Sequence, residues 1–337
     1  MYAIRIHEPG AAPVLQYEEV ASPEPGPGEV RVRLRAAGVN HRDIWVREGA
    51  FGAFPEPLIP GSDGAGEIDA LGPGARDYPV GQKVVINPGL SCGRCIYCLS
   101  GQQNSCPHYR ILDGTYAEQV VVPVVNVVPM PSGLTFLEAA SIGIPFVTAE
   151  DFLIRAQAAA GQTIVVWGAN GGLGLATIQL AHMRRMRVIA VVRHANYIDR
   201  LKQYGATDVL VWDGASLLAS DILTMTNSRG ADIVVDSLGQ ATFGQSLDML
   251  RRGGTVVTVG GTTGGKVTID LGQVFRRRLT VLGAYMGSSS ILPRLLPLFA
   301  RGVLIPIIDR TFPLEQAAQA HQRMEEHGLF GNIVLDI

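Results

Sequence analysis

Long apolar runs and dense charge are both missing from this sequence. No stretch approaches the roughly 18 uninterrupted apolar residues that a membrane-spanning helix needs, and the N-terminal letters MYAIRIHEPG do not contain the apolar core of a signal peptide. The formal net charge is only −2, and the one dense basic run is the three arginines at 276–278, which excludes a basic surface of the kind that binds nucleic acid. These absences predict a cytoplasmic protein that acts on a small molecule and has neither nucleic acid nor membrane as a partner.

Cysteine is scarce and confined to one stretch. The four cysteines, Cys92, Cys95, Cys98 and Cys106, follow the spacing C-x2-C-x2-C-x7-C, and the rest of the chain has no thiol. In a reducing compartment, clustered cysteines more often bind metal than pair as disulfides. A disulfide between cysteines this close together is also strained. The spacing therefore predicts a metal site, with two disulfides or free buried thiols as the alternatives.

Two kinds of pattern divide the chain. Up to about residue 145, short strands alternate with glycine- and proline-rich turns such as PEPGPG, which predicts a mostly antiparallel β domain. From 146 to 285, six apolar runs start every 20–25 residues and alternate with helix-compatible stretches. This rhythm is typical of an α/β fold, a doubly wound Rossmann sheet of six parallel strands in the order 3-2-1-4-5-6. From 286 to 337 we expect two helices and a last strand that returns to the first domain.

A glycine-rich turn follows the first apolar run of the second half. Its letters are WGANGGLG, with Gly168, Gly171, Gly172 and Gly174. The chain must turn sharply there, bring its backbone close to a pyrophosphate and open a helix, and each of these requirements excludes a Cβ atom. The context of a strand before the turn and a helix after it predicts dinucleotide binding.

The end of the second strand of that repeat indicates which dinucleotide is bound. An NAD enzyme has a carboxylate there for the ribose hydroxyls, whereas this chain has Arg193 and His194, with no acid before Asp199. A cation at this place favours a 2′-phosphate, so we expect NADP(H) in preference to NAD(H). The alternative is that Arg193 lies in solvent.

Five stretches carry a resemblance to a known family: GPGEVRVRLRAAGVNHRD, PGSDGAGEIDALGPGARDYPVGQKV, the four-cysteine stretch, DGTYAEQVVVP and GANGGLG. Over essentially the whole chain they resemble the medium-chain dehydrogenase/reductase superfamily, which contains zinc alcohol dehydrogenases and quinone oxidoreductases. The resemblance implies a chaperonin-10-like (GroES-like) catalytic domain over 1–145 and 286–337, and a Rossmann domain over 146–285. It implies that the four cysteines hold one structural zinc ion in a lobe at about 90–108. Homodimers or homotetramers are usual in this family.

The family's catalytic zinc ligands are replaced in this sequence. Zinc alcohol dehydrogenases use a cysteine after G-V, a histidine in G-H-E and a third cysteine or acid, and the matching positions here are Asn40, Ser62 and Ile144. Because none of these ligates zinc well, we expect that no catalytic zinc is bound. A site rebuilt from His41 and Asp63 is the alternative, but the spacing offers no third ligand.

The expected reaction is therefore hydride transfer between a nicotinamide and a quinone, an enone or a reactive carbonyl or alcohol. The candidate catalytic residues are Asn40, His41, Ser62 and Asp63. Asn40 is a hydrogen-bond donor for the substrate oxygen, or else a turn asparagine that bonds its own backbone. The proton source stays open among solvent, His41, Ser62 and Asp63. A zinc alcohol dehydrogenase with a non-standard metal site and a non-catalytic NADP(H)-binding protein are the alternative functions.

Cofactor-binding residues are expected from the glycine turn, the strand ends and the resemblance. The resemblance places His41 at the pyrophosphate and Thr148 beside the nicotinamide carboxamide. The complete set is His41, Thr148, Gly168, Asn170, Gly171, Gly172, Leu173, Gly174, Arg193, His194, Leu238, Val259, Gly260 and Tyr285.

Overall fold

A computed structural model describes residues 1–52, 57–326 and 328–337. The chain forms two compact units: unit 1 comprises Met1–Val147 and Ser288–Ile337, and unit 2 comprises Thr148–Gly287. Within the described ranges, no helix combines the length and the apolar character needed to cross a membrane.

The first part of the chain is built mainly from short strands. The strands are β1 (Tyr2–Arg5), β2 (Gln16–Glu19), β3 (Glu29–Val39), β4 (Asp63–Leu71), β5 (Lys83–Ile86), β6 (Gly89–Leu90), β7 (Arg110–Ile111), β8 (Gln119–Pro123) and β9 (Val127–Pro129). The helices are α1 (His41–Arg47), α2 (Ile96–Leu99), α3 (Phe136–Ala139) and α4 (Gly143–Arg155).

Unit 2 alternates strands and helices, as the apolar runs predict. Its strands are β10 (Thr163–Trp167), β11 (Arg187–Val192), β12 (Asp208–Val211), β13 (Ala231–Asp236), β14 (Leu250–Thr258) and β15 (Thr280–Gly283). Between them lie α5 (Gly172–Met183), α6 (Ile198–Gln203), α7 (Ala219–Met225), α8 (Phe243–Met249) and α9 (Leu271–Arg277).

The sheet of unit 2 has the predicted order. Its strands run β12-β11-β10-β13-β14-β15, and every neighbouring pair is parallel. The central strand β10 is apolar and almost entirely buried, because helices cover both faces of a doubly wound sheet and leave no side of the strand for water. The predicted Rossmann order is confirmed.

The C-terminal residues complete the sheet of unit 1. They form α10 (Ile291–Ala300), β16 (Ile308–Pro313), α11 (Ala317–Glu325) and β17 (Asn332–Asp336). The sheet order is β16-β17-β3-β4-β5-β9, with β8 also paired to β3. Strand β17 pairs antiparallel with β3, and only β16 and β17 run parallel among these pairs. The expectation of a mostly antiparallel domain that the tail rejoins is confirmed.

One strand pair in unit 1 sets up the candidate site. Strand β3 ends at Val39 and α1 begins two residues later, while β4 begins at Asp63, which is paired with Gly38. A Cβ atom at Gly38 would lie 2.3 Å from the carbonyl oxygen of Ala140. Glycine at this position therefore lets the segment before α4 pack closely on the strand pair.

Candidate active site

The strand pair places Asn40 beside Asp63. The Asn40 amide nitrogen Nδ2 donates to Asp63 Oδ2 over 3.0 Å, and the backbone N–H of Ile144 donates to Asp63 Oδ1 over 2.8 Å. A Cβ atom at Gly143 would lie 2.2 Å from Asp63 Oδ1, so only glycine lets the start of α4 approach the carboxylate this closely. Two of the three positions that match zinc ligands in relatives, Asn40 and Ile144, are thus joined through one carboxylate.

Asp63 is a buried acid that titrates close to neutral pH. Its side chain is only 1% exposed. Burial raises the pKa of Asp63 to about 7, although the hydrogen bonds from Asn40 and Ile144 act in the opposite direction. The charge on the group that orients the Asn40 amide therefore changes within the physiological range of pH.

Ser62, at the second zinc-ligand position, is held by other side chains. Its hydroxyl is fully buried and accepts a hydrogen bond from Arg42 Nη1 over 2.9 Å. The same guanidinium donates to both carboxylate oxygens of Asp113, over 2.7 and 3.2 Å. Ser62 Oγ in turn donates to Asp43 Oδ1 over 3.4 Å. Sequence reasoning did not assign this role to Arg42.

Asp43 is a second buried acid, and sequence reasoning missed its central place. It lies at the third position of α1, where its carboxylate Oδ2 accepts the backbone N–H of Asn40 over 2.9 Å and the hydroxyl of Tyr116 over 3.2 Å. Burial raises the pKa of Asp43 to about 6, and the positive charge of Arg42 opposes this shift. The motif GVNHRD contained Asp43 but gave no sign of its partner Tyr116.

His41 occupies a different environment from its neighbours. It is the first residue of α1 and is exposed. Its ring centre lies 6.4 Å from that of Trp45. The hydrogen bonds that join Asn40, Ser62 and Asp63 to their partners do not include His41.

The four cysteines of the lobe converge. Their Sγ atoms all lie within 4.8 Å of one another, with separations of 3.5 Å for Cys95 and Cys98, 3.6 Å for Cys92 and Cys106, and 3.9 Å for Cys92 and Cys98. Zinc–sulfur bonds of about 2.3 Å in a tetrahedron place sulfurs about 3.8 Å apart. The donor set therefore fits a closed structural zinc site.

The lobe favours the thiolate form, which metal binding requires, at two of its cysteines. Backbone N–H groups of Arg94 and Cys95 lower the pKa of the Cys92 thiol to about 6, and a hydrogen bond from Ser91 lowers the pKa of Cys98. The backbone N–H of Cys98 acts to lower the pKa of Cys95, but burial and the neighbouring thiols together raise it to about 11. Within the described part of the chain, no other group of three or more histidine, cysteine, aspartate or glutamate side chains converges as these do.

The glycine turn of unit 2 has the geometry that a dinucleotide requires. Gly168 has a positive φ of +61°, and a Cβ atom at Gly174 would lie 2.5 Å from the carbonyl oxygen of Gly168. Gly171 caps α5 without a side chain, so the first-turn N–H groups have the arrangement that binds phosphate at helix N-termini. Asn170, Gly172 and Leu173 lie in the same turn. These residues fit a pyrophosphate.

Arg193 and His194 lie directly after β11. Both are exposed. The guanidinium carbon of Arg193 lies 5.8 Å from the ring centre of Trp212, and the ring of His194 meets that of Tyr197 edge to face at 6.2 Å. The Trp212 ring attracts this cation, by about 0.5–1 kcal/mol at an exposed position.

The remaining cofactor candidates fall at the carboxyl ends of the parallel strands or on α4. Asp236, which sequence reasoning missed, ends β13, is fully buried and accepts the backbone N–H of Leu238 over 3.0 Å. Val259 and Gly260 follow β14 and Tyr285, which is 53% exposed, follows β15. This edge is where open α/β sheets bind their ligands. Thr148, on α4, donates from Oγ1 to the sulfur of Met286 over 3.7 Å.

Comparison with known proteins identifies the family. Residues 26–132 match the model of the alcohol dehydrogenase GroES-like domain, and residues 172–301 match that of the zinc-binding dehydrogenase. An alcohol dehydrogenase of Geobacillus stearothermophilus is 33% identical over 96% of each chain. A quinone oxidoreductase of Rattus norvegicus is 29% identical over 99% of this chain and 97% of its own.

A solved structure described as an NAD-dependent alcohol dehydrogenase is 39% identical, with a TM-score of 0.96 and full coverage of both chains. The structural likeness covers both units described above, and the relatives are named as oxidoreductases. The chain thus belongs to the medium-chain dehydrogenase/reductase superfamily and is an NAD(P)-dependent oxidoreductase.

Proposed function

We propose that this oxidoreductase transfers a hydride between NADP(H) and a quinone, an enone or a reactive carbonyl compound or alcohol, without a catalytic metal ion. The observation that carries the proposal is the hydrogen bonding at the three former ligand positions. Asn40 and Ile144 both donate N–H groups to Asp63, and Ser62 accepts from Arg42. An amide nitrogen that donates to a carboxylate has no lone pair for zinc, and a backbone N–H has none either.

Asn40 takes the place of the metal as the group that meets negative charge on the substrate. A bound nicotinamide dinucleotide supplies or accepts the hydride, and the residues of the chain stabilise the oxygen that changes charge. One N–H of the Asn40 amide is fixed by Asp63, and the second is the donor for the substrate oxygen. A donor held in place before the reaction costs no reorganisation in the transition state.

The substrate class follows from how strongly the Asn40 amide can stabilise charge on the substrate oxygen. One amide donor is weaker than a Lewis acid, so substrates that accept a hydride readily are favoured: quinones, enones and reactive carbonyl compounds. The relative named quinone oxidoreductase supports this choice. Because another relative is named alcohol dehydrogenase, alcohols and aldehydes are also tested as substrates.

Asp63 is the residue that we propose to hold a proton near the substrate. Its pKa of about 7 allows gain and loss of a proton near neutral pH, and it contacts the Asn40 amide directly. The fully buried hydroxyl of Ser62 is committed to Arg42 and Asp43. The exposed His41 and solvent are the competing proton sources.

The cofactor preference rests on Arg193. Its exposed guanidinium, 5.8 Å from the ring centre of Trp212, follows β11 at the sequence position where an NAD enzyme has a carboxylate for the ribose diol. A cation at that position would pair with the 2′-phosphate of NADP(H). The solved relative described as NAD-dependent makes NADH the matched comparison in every assay.

The lobe cysteines would hold one structural zinc ion. Four thiolates fill a tetrahedral coordination shell and leave no position for a substrate. The ion would therefore fix the fold of the lobe, whose regular structure is limited to the two-stranded pair β6–β7, the short helix α2 and one 3-10 turn at Gln103–Ser105.

We also propose that the chain forms a homodimer or homotetramer through β15. This strand ends the order of the six-stranded sheet, and Val281 on β15 is 44% exposed. An uncovered edge strand is a ready template for pairing with another chain. Light scattering coupled to size-exclusion chromatography measures the number of chains, and a monomer would contradict the proposal.

The reaction is tested with a panel of substrates. Purified protein is mixed with NADPH and, separately, with a quinone, an enone, an aldehyde and a simple ketone, and the loss of NADPH absorbance is recorded. We expect turnover with the quinone or the enone to exceed turnover with the simple ketone. Failure of every substrate to oxidise NADPH would favour a non-catalytic binding protein.

A further inference from the structure

A chain of buried polar side chains connects α11 with the first turn of α1. Arg47 Nη1 lies 3.5 Å from Nδ1 of His321, His321 Nε2 lies 3.2 Å from the hydroxyl of Tyr116, and that hydroxyl lies 3.2 Å from Asp43 Oδ2. His321, Tyr116 and Asp43 are fully buried and Arg47 is 1% exposed. Apolar packing alone does not require four polar side chains in this place.

The hydrogen bonds of this chain have only one consistent direction. A guanidinium can only donate, so Nδ1 of His321 accepts from Arg47 and Nε2 carries the proton. Nε2–H then donates to the Tyr116 oxygen, and Tyr116 donates its own hydrogen to Asp43. Burial and the nearby positive charge of Arg47 lower the pKa of His321 to about 3, which agrees with a neutral ring.

Other donors converge on the same carboxylate. The backbone N–H of Asn40 donates to Asp43 over 2.9 Å. Ser62 accepts from Arg42, so its own hydrogen points to Asp43. Arg42 Nη1 also lies 3.6 Å from Asp43 Oδ1.

The charges that face Asp43 come from several elements. Arg42 on α1 and the hydroxyl of Tyr116 favour its ionised form, whereas the carboxylate of Asp113 disfavours it. Asp63, at the start of β4, interacts with Asp43 as a like charge. An acid that receives only donors and one cation is built to be ionised, and the two neighbouring acids and burial oppose this.

We propose that Tyr116 and His321 are positioning residues that act through Asp43. They hold its carboxylate ionised, and the ionised carboxylate fixes the backbone of Asn40 and the guanidinium of Arg42. Tyr116 and His321 are assigned no contact with the substrate, so their effect would reach the reaction through Asp43 and the placement of Asn40. The inference therefore rests on the proposed role of Asn40 in hydride transfer.

The test reads the ionisation of Asp43 directly. Infrared difference spectra across pH follow the carboxyl C=O stretch, and Asp43→Asn identifies the band of Asp43. Tyr116→Phe removes one hydroxyl and keeps the ring. Loss of a hydrogen bond to a charged group is expected to raise the midpoint of the Asp43 titration by about one pH unit. An unchanged midpoint, or an Asp43 band that stays protonated at every pH in the wild type, would overturn the proposal.

A second pair of variants covers the case in which Tyr116→Phe does not fold. His321→Gln keeps an N–H donor for Tyr116, whereas His321→Leu removes it. We expect His321→Leu to raise the midpoint and His321→Gln to restore it towards the wild-type value. Equal midpoints in the two variants would contradict the proposal that His321 acts on Asp43 through Tyr116. Tyr17→Phe, which removes a hydroxyl from an exposed tyrosine of the same unit, is the control and should leave the midpoint unchanged.

Kinetics separate this inference from the proposed function. With NADPH and the quinone of the panel, the acidic limb of kcat should move upwards with the infrared midpoint in Tyr116→Phe, while KM changes little. A midpoint that moves without the kinetic limb would refute the positioning role. Absence of any turnover in the wild type would refute the proposed function, and the infrared midpoints would still decide whether Tyr116 and His321 keep Asp43 ionised.

Discussion

Two regions of unit 1 correspond to the places where zinc alcohol dehydrogenases hold metal. They differ in whether their polar groups already make hydrogen bonds to other parts of the protein. In the lobe, four thiols converge within 4.8 Å and face mainly one another. Around Asp63, the side chains of Asn40 and Ser62 and the backbone N–H of Ile144 already bond to neighbouring polar groups. A metal ion satisfies the first region and would break the hydrogen bonds of the second. Under the proposed function, zinc would serve stability in this protein and the chemistry would depend on hydrogen-bond donors.

The largest expected effect that tests this comparison is the loss of stability when the lobe metal is removed. Cys98→Ser, or treatment with a strong chelator, should lower the free energy of unfolding by more than about 4 kcal/mol, because the lobe has little regular structure to replace the ion. Chemical denaturation measures the change, and Ser100→Ala in the same lobe is the matched control. Chains that stay folded should keep their rate of hydride transfer, and loss of the rate without loss of stability would reverse the roles of the two regions.

The second effect concerns the pH dependence of stability. The pKa of Asp63 is raised from 3.8 to about 7 in the folded chain, so the folded state binds an additional proton between these values. Stability therefore falls as the pH rises through this window, and Asp43, with a pKa of about 6, acts with the same sign.

Asp63→Asn should remove its share of this slope, which amounts to about 4 kcal/mol across the window. Denaturant titrations between about pH 4 and pH 8 give the difference between the variant and the wild type. Asp77→Asn, at an exposed acid of the same unit, is the control. Parallel pH profiles for wild type and Asp63→Asn would show that Asp63 is ionised throughout.

The third effect tests the donor that stands in place of a metal. Asn40→Ala should lower kcat by about 100- to 1000-fold with little change in KM, because the amide acts mainly on charge that develops in the transition state. Steady-state kinetics with the panel quinone or enone measure it. Zinc content should stay at the wild-type value, and a loss of zinc together with the rate would mean that Asn40 supports a metal after all.

The smallest expected effect is on cofactor affinity, at Arg193, which lies outside both regions. Arg193→Ala should weaken NADPH binding about tenfold or more and leave NADH binding nearly unchanged, because only NADPH loses an ion pair. Fluorescence titration with each cofactor measures the two affinities. Lys202→Ala, an exposed cation on α6 of the same unit, controls for net charge. Equal losses for both cofactors would remove the argument for NADP(H).

Local patterns predicted the fold, while long-range contacts limited the prediction of the site. The strands of unit 2 are continuous apolar runs, so their positions and parallel order followed from the sequence. The four cysteines lie within 15 positions of one another, and their spacing alone indicated a metal site. Tyr116 and His321, by contrast, are separated along the chain by 205 positions, and no spacing rule joins them.

Asn40 is one residue whose contacts could not be predicted, because its partner is distant in the sequence. The sequence allowed either a donor to the substrate or a turn asparagine that bonds its own backbone. In the structure the side-chain amide donates to Asp63, 23 positions away, while the backbone N–H of Asn40 bonds Asp43. A single sequence contains no signal for this choice, because the pairing of β3 with β4 decides which groups meet. The roles of Asn40, His41, Ser62 and Asp63 in the reaction remain predictions.

The most direct test of the central claim is the number of zinc ions in active protein. Elemental analysis and the hydride-transfer assay with NADPH are made on the same purified sample, before and after dialysis against a weak chelator. We predict one zinc ion per chain at full activity, with none gained when zinc is added back. Two ions per chain, or activity that rises in proportion to a second ion, would contradict the account and identify a zinc alcohol dehydrogenase with a non-standard site.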